Sequence, residues 1–576
     1  MACGFAMSFA EKRVVNLTVV NLTWQRLGLI ALTLAAFAWR MQGLTWQSLW
    51  RDEVDAILFA TRDLTETLRM FVQPGQNGAL YFVSLRPWFD LVGTSEFALR
   101  YPSAMAGTLS VLLTWQVARR LLPLTPFASP HGAVVTTGAS SAMVAWLSAA
   151  LMALNPYQLW YAQEGKMYTA ITMLVLLATW WWLEGIRRGG WQPWLAYLIT
   201  VSVAMYTHLL LILLFPVHFV WFLLAWPASK HHWRGYALAL AGLTLPYLPM
   251  VWWHWALLTT DIKRTGFSFT PPVEMARTLI YNHSRGFMPP EDVMWLLPVF
   301  FLCAAGIVLG MGEIAAQSQV GDAPGDRPDP VSDPVSDPVS DPVPEQAHER
   351  AALLHLAAWR RWSLTLAWLL LPVAGIYAIS LRQPIFTDRY VIWIAPALMM
   401  LVALGLVVVR RYAWILGRLL AVALLLYVVS FWGYAGWQQK SKQTKYDLRG
   451  AVSYLAEART PGSLLILQIP HMEWAYRYYT SDFGPRPFAE SEARLAPWMG
   501  GMWTNQGWPD ELARADVAYQ MSSQTAAYTD VWVLRSEVEM WDQRHLMDQW
   551  LDENGTLLVQ ENFHGAQVRH YQLPGQ

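Results

Sequence analysis

Long apolar runs recur through this chain at intervals that leave little room for a water-soluble core. About 20 mostly apolar residues in helical geometry cross the hydrocarbon layer of a membrane. Roughly eleven segments fit that rule: 24–42, 99–118, 138–156, 168–185, 193–207, 209–227, 236–257, 293–312, 363–381, 391–409 and 413–434. Composition agrees, since 55% of the residues are hydrophobic and only 14% charged, where a soluble domain is about one quarter charged. The sequence predicts a polytopic α-helical membrane protein of about 11 transmembrane helices with a C-terminal extracytoplasmic α/β domain. The first segment is followed by no A-x-A cleavage pattern, which favours a retained signal anchor.

Lysine and arginine in the short connections set the orientation. Arg119 and Arg120, Arg187 and Arg188, Lys230 with Arg234, Arg360 and Arg361, and Arg410, Arg411 and Arg418 fall in alternate gaps, and Lys12 and Arg13 precede the first segment. Those gaps are assigned to the cytoplasm. The other face then receives "WRDEVDA", "NPYQLWYAQEGKMY" (155–168), the turn at His208, a long loop near 258–290 and "RQPIFTDRY" (382–390).

The chain divides into a cytoplasmic N-terminus (1–23), a membrane region with catalytic outer loops (24–312), a cytoplasmic loop (313–358), the remaining transmembrane helices (359–436) and an outer domain (437–576). The cytoplasmic loop holds "DPVSDPVSDPVSDPVP" (329–344), a proline-punctuated acidic repeat with too little apolar surface for a core, and it reads as disordered. The last part has a soluble α/β rhythm: "DLRGAVSYLAEA", "MEWAYRYY" and "QRHLMDQWLDE" read as helices, "SLLILQI" and "DVWVLRS" as strands. Net charge is zero, so nothing advertises a nucleic-acid partner. The two cysteines, Cys3 and Cys303, are too far apart in character and position to suggest a disulfide framework or cysteine metal site.

Acidic, basic and aromatic residues collect on the face opposite the basic clusters. "SLWRDEVDA" (48–56) follows the first apolar run, "YAQEGKMY" places Glu164 and Lys166 among tyrosines, and "TDRY" brings Arg389 to the entrance of an apolar span. A single carboxylate there is ordinarily an interfacial turn or a helix N-terminus favoured by the dipole. Three such loops together suit a substrate with an anionic head and a lipid tail.

These residues carry a resemblance. "LWRDEVDA", "NGALYFVSLRPWFDLVGTSEFALRYPSAMAGTLSVLLTW" (77–115), "NPYQLWYAQEGKMYTAITMLVLL" (155–177), "YTH" (206–208) and "DRYVIWIAPALMMLVALGL" (388–406) resemble, in order and spacing, the polytopic GT-C glycosyltransferases. The similarity is greatest to the branch containing protein O-mannosyltransferases and lipid A aminoarabinose transferases. "KYDLRGAVSYLAEARTPGSLLILQI" (445–469) is similar to the start of the outer domain that often follows. Two departures stand out: "QNGALY" replaces a common His-Pro-Pro-Leu pattern, and Lys166 stands where arginine is usual, keeping the charge but losing the bidentate fork.

The resemblance implies transfer of a sugar from a polyprenyl-phosphate donor to an acceptor hydroxyl on a protein, lipid or glycan, at the bilayer surface. An inverting displacement needs a base for the acceptor proton and positive charge for the departing phosphate. Asp52 is the implied base and Glu53 its orienting neighbour, with Glu164 a second acidic contact and Asp55 a solvated bystander. Arg389, Lys166 and Arg100 are the candidate phosphate ligands, although Arg100 at a span entrance has snorkelling as its ordinary explanation. A divalent cation held by His208 with Glu53 is a further expectation of the resemblance. The competing reading, a secondary transporter or flippase for a lipid-linked solute, predicts paired internal repeats and ionisable groups at the bilayer midplane, and the sequence displays neither.

Overall fold

The computed structural model describes residues 9–73, 75–122, 127–128, 134–135, 137–259, 268–288, 292–320, 358–412, 414–469, 472–480, 494–495, 508–538 and 542–574. The Asp-Pro-Val-Ser repeat lies outside these residues. The helix before it, Leu297–Val320, runs past the anticipated boundary at 312.

The first half is built from α1 (Phe9–Met41), α2 (Arg51–Thr61), α3 (Leu64–Phe71), α4 (Ala79–Val92), α5 (Glu96–Leu121), α6 (Thr137–Leu154), α7 (Pro156–Ala162), α8 (Tyr168–Arg188) and α9 (Gln192–Thr207). All the anticipated spans fall on helices, but they are not equivalent. Among the described residues five helical stretches are long and apolar enough to cross a membrane: Tyr168–Arg188, Lys230–Trp252, Ser363–Ser380, Asp388–Arg410 and Ile415–Ser441. Ala142–Leu154, Leu209–Leu224 and Met294–Val308 are shorter apolar helices. α5 is too polar to count, and its packing explains why. It buries Thr108, Ser110 and Thr114, whose hydroxyls donate to the carbonyls of Ala104, Ala106 and Ser110 one turn back, so the polarity is satisfied inside the helix. The protein is thus a multi-pass helical membrane protein.

The stretch Asp388–Arg410 has a mean hydropathy of 2.6 and is 94% buried, which puts it at the centre of the bundle. Helix Leu297–Val320 packs on it at close range: a Cβ on Gly306 would meet the Leu401 carbonyl at 2.5 Å, and one on Gly405 would run into the Leu302 carbonyl. Small residues at that crossing let the two backbones touch. Lys230–Trp252, by contrast, is only 22% buried and turns Leu238, Leu245, Leu248, Val251 and Trp252 outward, as a lipid-facing helix does.

The C-terminal part has a five-stranded sheet in the order Arg494–Leu495, Leu464–Leu467, Asp530–Ser536, Ala566–Gln572, Thr556–Phe563. Its first three strands are parallel and the last three antiparallel. The central strands Leu464–Leu467 and Asp530–Ser536 are almost wholly buried, which accounts for their unbroken apolar runs.

Candidate active site

α2 is the next helix after α1, across the 42–50 connection, and its acidic first turn complements the helix dipole. Asp52 and Glu53 are consecutive, so helical geometry turns them roughly 100° apart, and they meet opposite fates. Glu53 is fully buried. Both its oxygens accept from Arg100, through Nε and one terminal nitrogen, each at 2.7 Å; Oε1 also accepts the Gly165 N–H at 2.7 Å and Oε2 meets Lys445 Nζ at 3.1 Å. Burial raises its pKa, but Arg100 and Lys445 outweigh that and hold the carboxyl well below the usual range.

Asp52 faces the other way, with 17% of its side chain exposed, 3.4 Å from Arg389 and 3.5 Å from Arg51. Burial opposes its charge, yet Lys166, Arg389 and Arg51 together leave its pKa below the ordinary value. It is ionised at neutral pH. Asp55, one turn on, is half-buried rather than freely solvated, and burial lifts its pKa to about 6 with Asp52 adding to the rise. Glu164 is buried, its Oε1 has no hydrogen-bond partner among the described residues, and burial pushes its pKa up to about 7.

Arg389 is placed by its neighbour. Asp388 accepts from Tyr157 Oη and Asn282 Nδ2, both at 2.8 Å, which pins the short turn at the start of its span. The Arg389 guanidinium lies 5.8 Å from the Trp50 ring and 5.6 Å from that of Tyr168, with its Nε unpartnered among the described residues. The Lys166 ammonium stands 4.9 Å from the Phe82 ring centre. These two cations and Asp52 come from three separate stretches of the chain. The 77–78 loop joins them: Gly78, at φ 90°, caps α4 where a Cβ would strike Met167 Cε at 2.6 Å, and Asn77 accepts the Leu209 N–H at 2.8 Å. A histidine-proline pair would not fit that backbone.

Arg100 is placed away from this cluster. It is 1% exposed and donates to the carbonyls of Leu44, Gln47 and Ser48 besides Glu53, so it ties down the entry to α2. His208 lies edge-on to Tyr390 at 5.0 Å, both ring nitrogens lack partners among the described residues, and burial takes its pKa down to about 3. The pairing of His208 with Glu53 around a metal is not made, because the Glu53 oxygens are committed to Arg100, Lys445 and Gly165. No group of three or more His, Cys, Asp or Glu suited to a metal occurs among the described residues. Glu53 and His208 therefore do not form the anticipated pair.

Sequence reasoning passed over Lys445, Asp388 and Arg51. Asp388 stood next to a chosen arginine, and Lys445 opened a quoted motif, so both carried a signal. Gln47 through Glu53 are also gripped by the C-terminal part. Gln47 Oε1 accepts the N–H groups of Thr444 and Lys445, Ser48 donates to the Tyr446 carbonyl, the Leu49 N–H donates to Tyr479 Oη, and Arg51 pairs with Glu537.

No protein-family model matches the chain, and no curated protein does. Among solved structures it is similar to the archaeal Archaeoglobus fulgidus oligosaccharyltransferase in the apo form (TM-score 0.42, 12% identity, 84% of this chain and 65% of that one). It is similar also to the mycobacterial arabinofuranosyltransferase AftD (TM-score 0.45, 13% identity, 96% and 42%). Over nearly the whole of both chains, 95% and 98%, it is similar to ArnT from Cupriavidus metallidurans bound to undecaprenyl phosphate, with a TM-score of 0.48 and 14% identity.

Proposed function

We propose that this chain is an integral-membrane glycosyltransferase of the GT-C type, transferring a sugar from a polyprenyl-phosphate donor to an acceptor hydroxyl by inverting displacement. The observation that carries this reading is the meeting of one ionised carboxylate, Asp52, with Arg389 and Lys166 at the loop end of the helix bundle. The acceptor oxygen attacks the anomeric carbon as the bond from that carbon to the phosphate oxygen breaks. Asp52 takes the acceptor proton, and the phosphate leaves as an anion. Phosphate needs no protonation to depart, so one base suffices, and the cations compensate the charge that grows on the leaving oxygen. Arg389 supplies a planar donor fork and Lys166 a point charge. No step requires the anticipated metal.

The site and the C-terminal domain are assigned to the extracytoplasmic face and the N-terminus to the cytoplasm, following the alternation of basic connections. Donor delivery within the bilayer fits a site at the ends of apolar helices, and the acceptor is a protein, lipid or glycan hydroxyl. The test is transfer of radiolabelled sugar from polyprenyl-phosphate donors by membranes holding the wild-type protein or Asp52→Asn at equal expression. Transfer by the wild type, lost in the near-isosteric variant while donor binding persists, is the expected result. Unchanged activity in Asp52→Asn would remove the base from this position.

A further inference from the structure

Arg51 stands between two carboxylates that belong to different parts of the chain. Its terminal nitrogen is 2.8 Å from Glu537 Oε2, a full charge-assisted hydrogen bond, whereas its Nε is 3.5 Å from Asp52 Oδ1, at the outer edge of one. Glu537 follows the strand Asp530–Ser536, and its side chain is only 5% exposed. Its backbone is unusual: at φ 52° it is one of two non-glycine residues in the left-handed region among the described residues. That conformation is disfavoured for a residue with a Cβ and persists where surrounding contacts enforce it. Ser536, just before it, is fixed by donating to the Gly565 carbonyl at 2.7 Å. The strand end is thus anchored, and the turn after it directs a carboxylate onto Arg51.

We propose that Glu537 is a positioning residue for Asp52: by holding Arg51 from the C-terminal domain, it decides how tightly Asp52 is paired. The inference rests on the reading of Asp52 as base. α2 presents Arg51 and Asp55 to Asp52, and the loop before α8 presents Glu164 and Lys166. Arg389 and Tyr390 face it from the 388–394 turn, and Tyr168 from α8. Of the cations in this set, Arg51 has a competing carboxylate supplied by the C-terminal domain. With Glu537 neutralised, Arg51 loses this carboxylate and pairs more closely with Asp52, which becomes a weaker base.

Three variants test this: Glu537→Gln, Arg51→Gln and the pair together. Glu537→Gln should lower kcat about tenfold, leave the donor KM unchanged and move the acidic limb of the rate profile to lower pH. The double variant should regain most of the lost kcat, because no guanidinium remains to quench Asp52. A role confined to holding the fold predicts the reverse, with the double variant no better than either single one. That result, or an unchanged kcat in Glu537→Gln, overturns the proposal.

A second readout does not depend on catalysis. In an Asp52→Cys chain with Cys3 and Cys303 replaced, the pH midpoint of thiol alkylation should fall on adding Glu537→Gln and recover on adding Arg51→Gln. A midpoint indifferent to Glu537 refutes the pairing. Absence of sugar transfer by the wild type, with the midpoint still shifting, would refute the glycosyltransferase reading and leave the pairing standing.

Discussion

Glu53→Gln tests the arrangement at its most buried point. The change is nearly isosteric, so the cost comes from charge and hydrogen bonding. In the native chain one carboxylate satisfies Arg100 twice at 2.7 Å, Gly165 N–H at 2.7 Å and Lys445 at 3.1 Å. The amide keeps one accepting oxygen and points two N–H donors at groups that are themselves donors, leaving Arg100 and Lys445 buried without the carboxylate they share, with Glu96 and Glu164 the anions still acting on them. Removing one partner of a buried pair typically costs about 3–5 kcal/mol, and two stranded cations argue for the upper half of that range. Lys445→Met alone should cost less, on the order of 1–2 kcal/mol, since the Arg100 fork survives. The decisive comparison is the double variant, which removes one of the stranded cations and should be more stable than Glu53→Gln by about 1–2 kcal/mol. Unfolding rates in detergent, measured at fixed temperature for the four proteins, provide the cycle. A loss under about 1 kcal/mol in Glu53→Gln, or strict additivity in the double variant, would refute the account of Glu53 as shared anion.

Arg389→Ala should weaken donor binding and turnover together, read by direct binding of a polyprenyl phosphate alongside rates; unchanged affinity would remove the phosphate role. Glu164, with its pKa raised to about 7, keeps its proton below that pH; Glu164→Gln should erase an inflection near neutrality in the kcat/KM profile while the one near 6 from Asp55 persists. The depressed carboxyl of Glu53 contributes stability that is complete above the ordinary glutamate value of about 4.3 and is lost as pH falls through its folded value. Unfolding of the wild type should therefore accelerate below about pH 4, with Glu53→Gln flatter over the same window. Chelation of divalent ions should leave turnover unchanged, because the Asp52 route uses none; loss restored by added metal would reopen a cation site.

The loops that meet at Asp52 were legible because each placed a charged or aromatic group at the end of an apolar run. What the spacing could not supply was the division of labour within them. Asp52 and Glu53 are adjacent letters, and only the helix turn sends one to the cleft and the other to Arg100. Arg100 likewise read as a snorkelling or phosphate-binding residue, because the carbonyls of Leu44, Gln47 and Ser48 that hold it leave no mark in a pattern of side chains. Lys445 and Glu537 act across hundreds of residues, where no local periodicity reports a contact. The buried strands near 464 and 530 announced themselves by unbroken apolar runs, while Thr556–Phe563 was passed over because most of its residues are exposed and give no alternation. All eleven apolar runs lie on helices, and among the described residues five of these are long and apolar enough to cross a membrane by length and composition alone.

The contact between Glu53 and Lys445 joins positions 392 residues apart. At a synthesis rate of about 5–20 residues per second, roughly 20–80 s pass between the emergence of the acidic residue and that of its distant cation. During that interval the residues around Glu53 have been made, but part of their charge balance has not. The centre is therefore completed late in biogenesis, and a nascent chain already carrying Asp52, Lys166 and Arg389 would still lack the brace at Glu53.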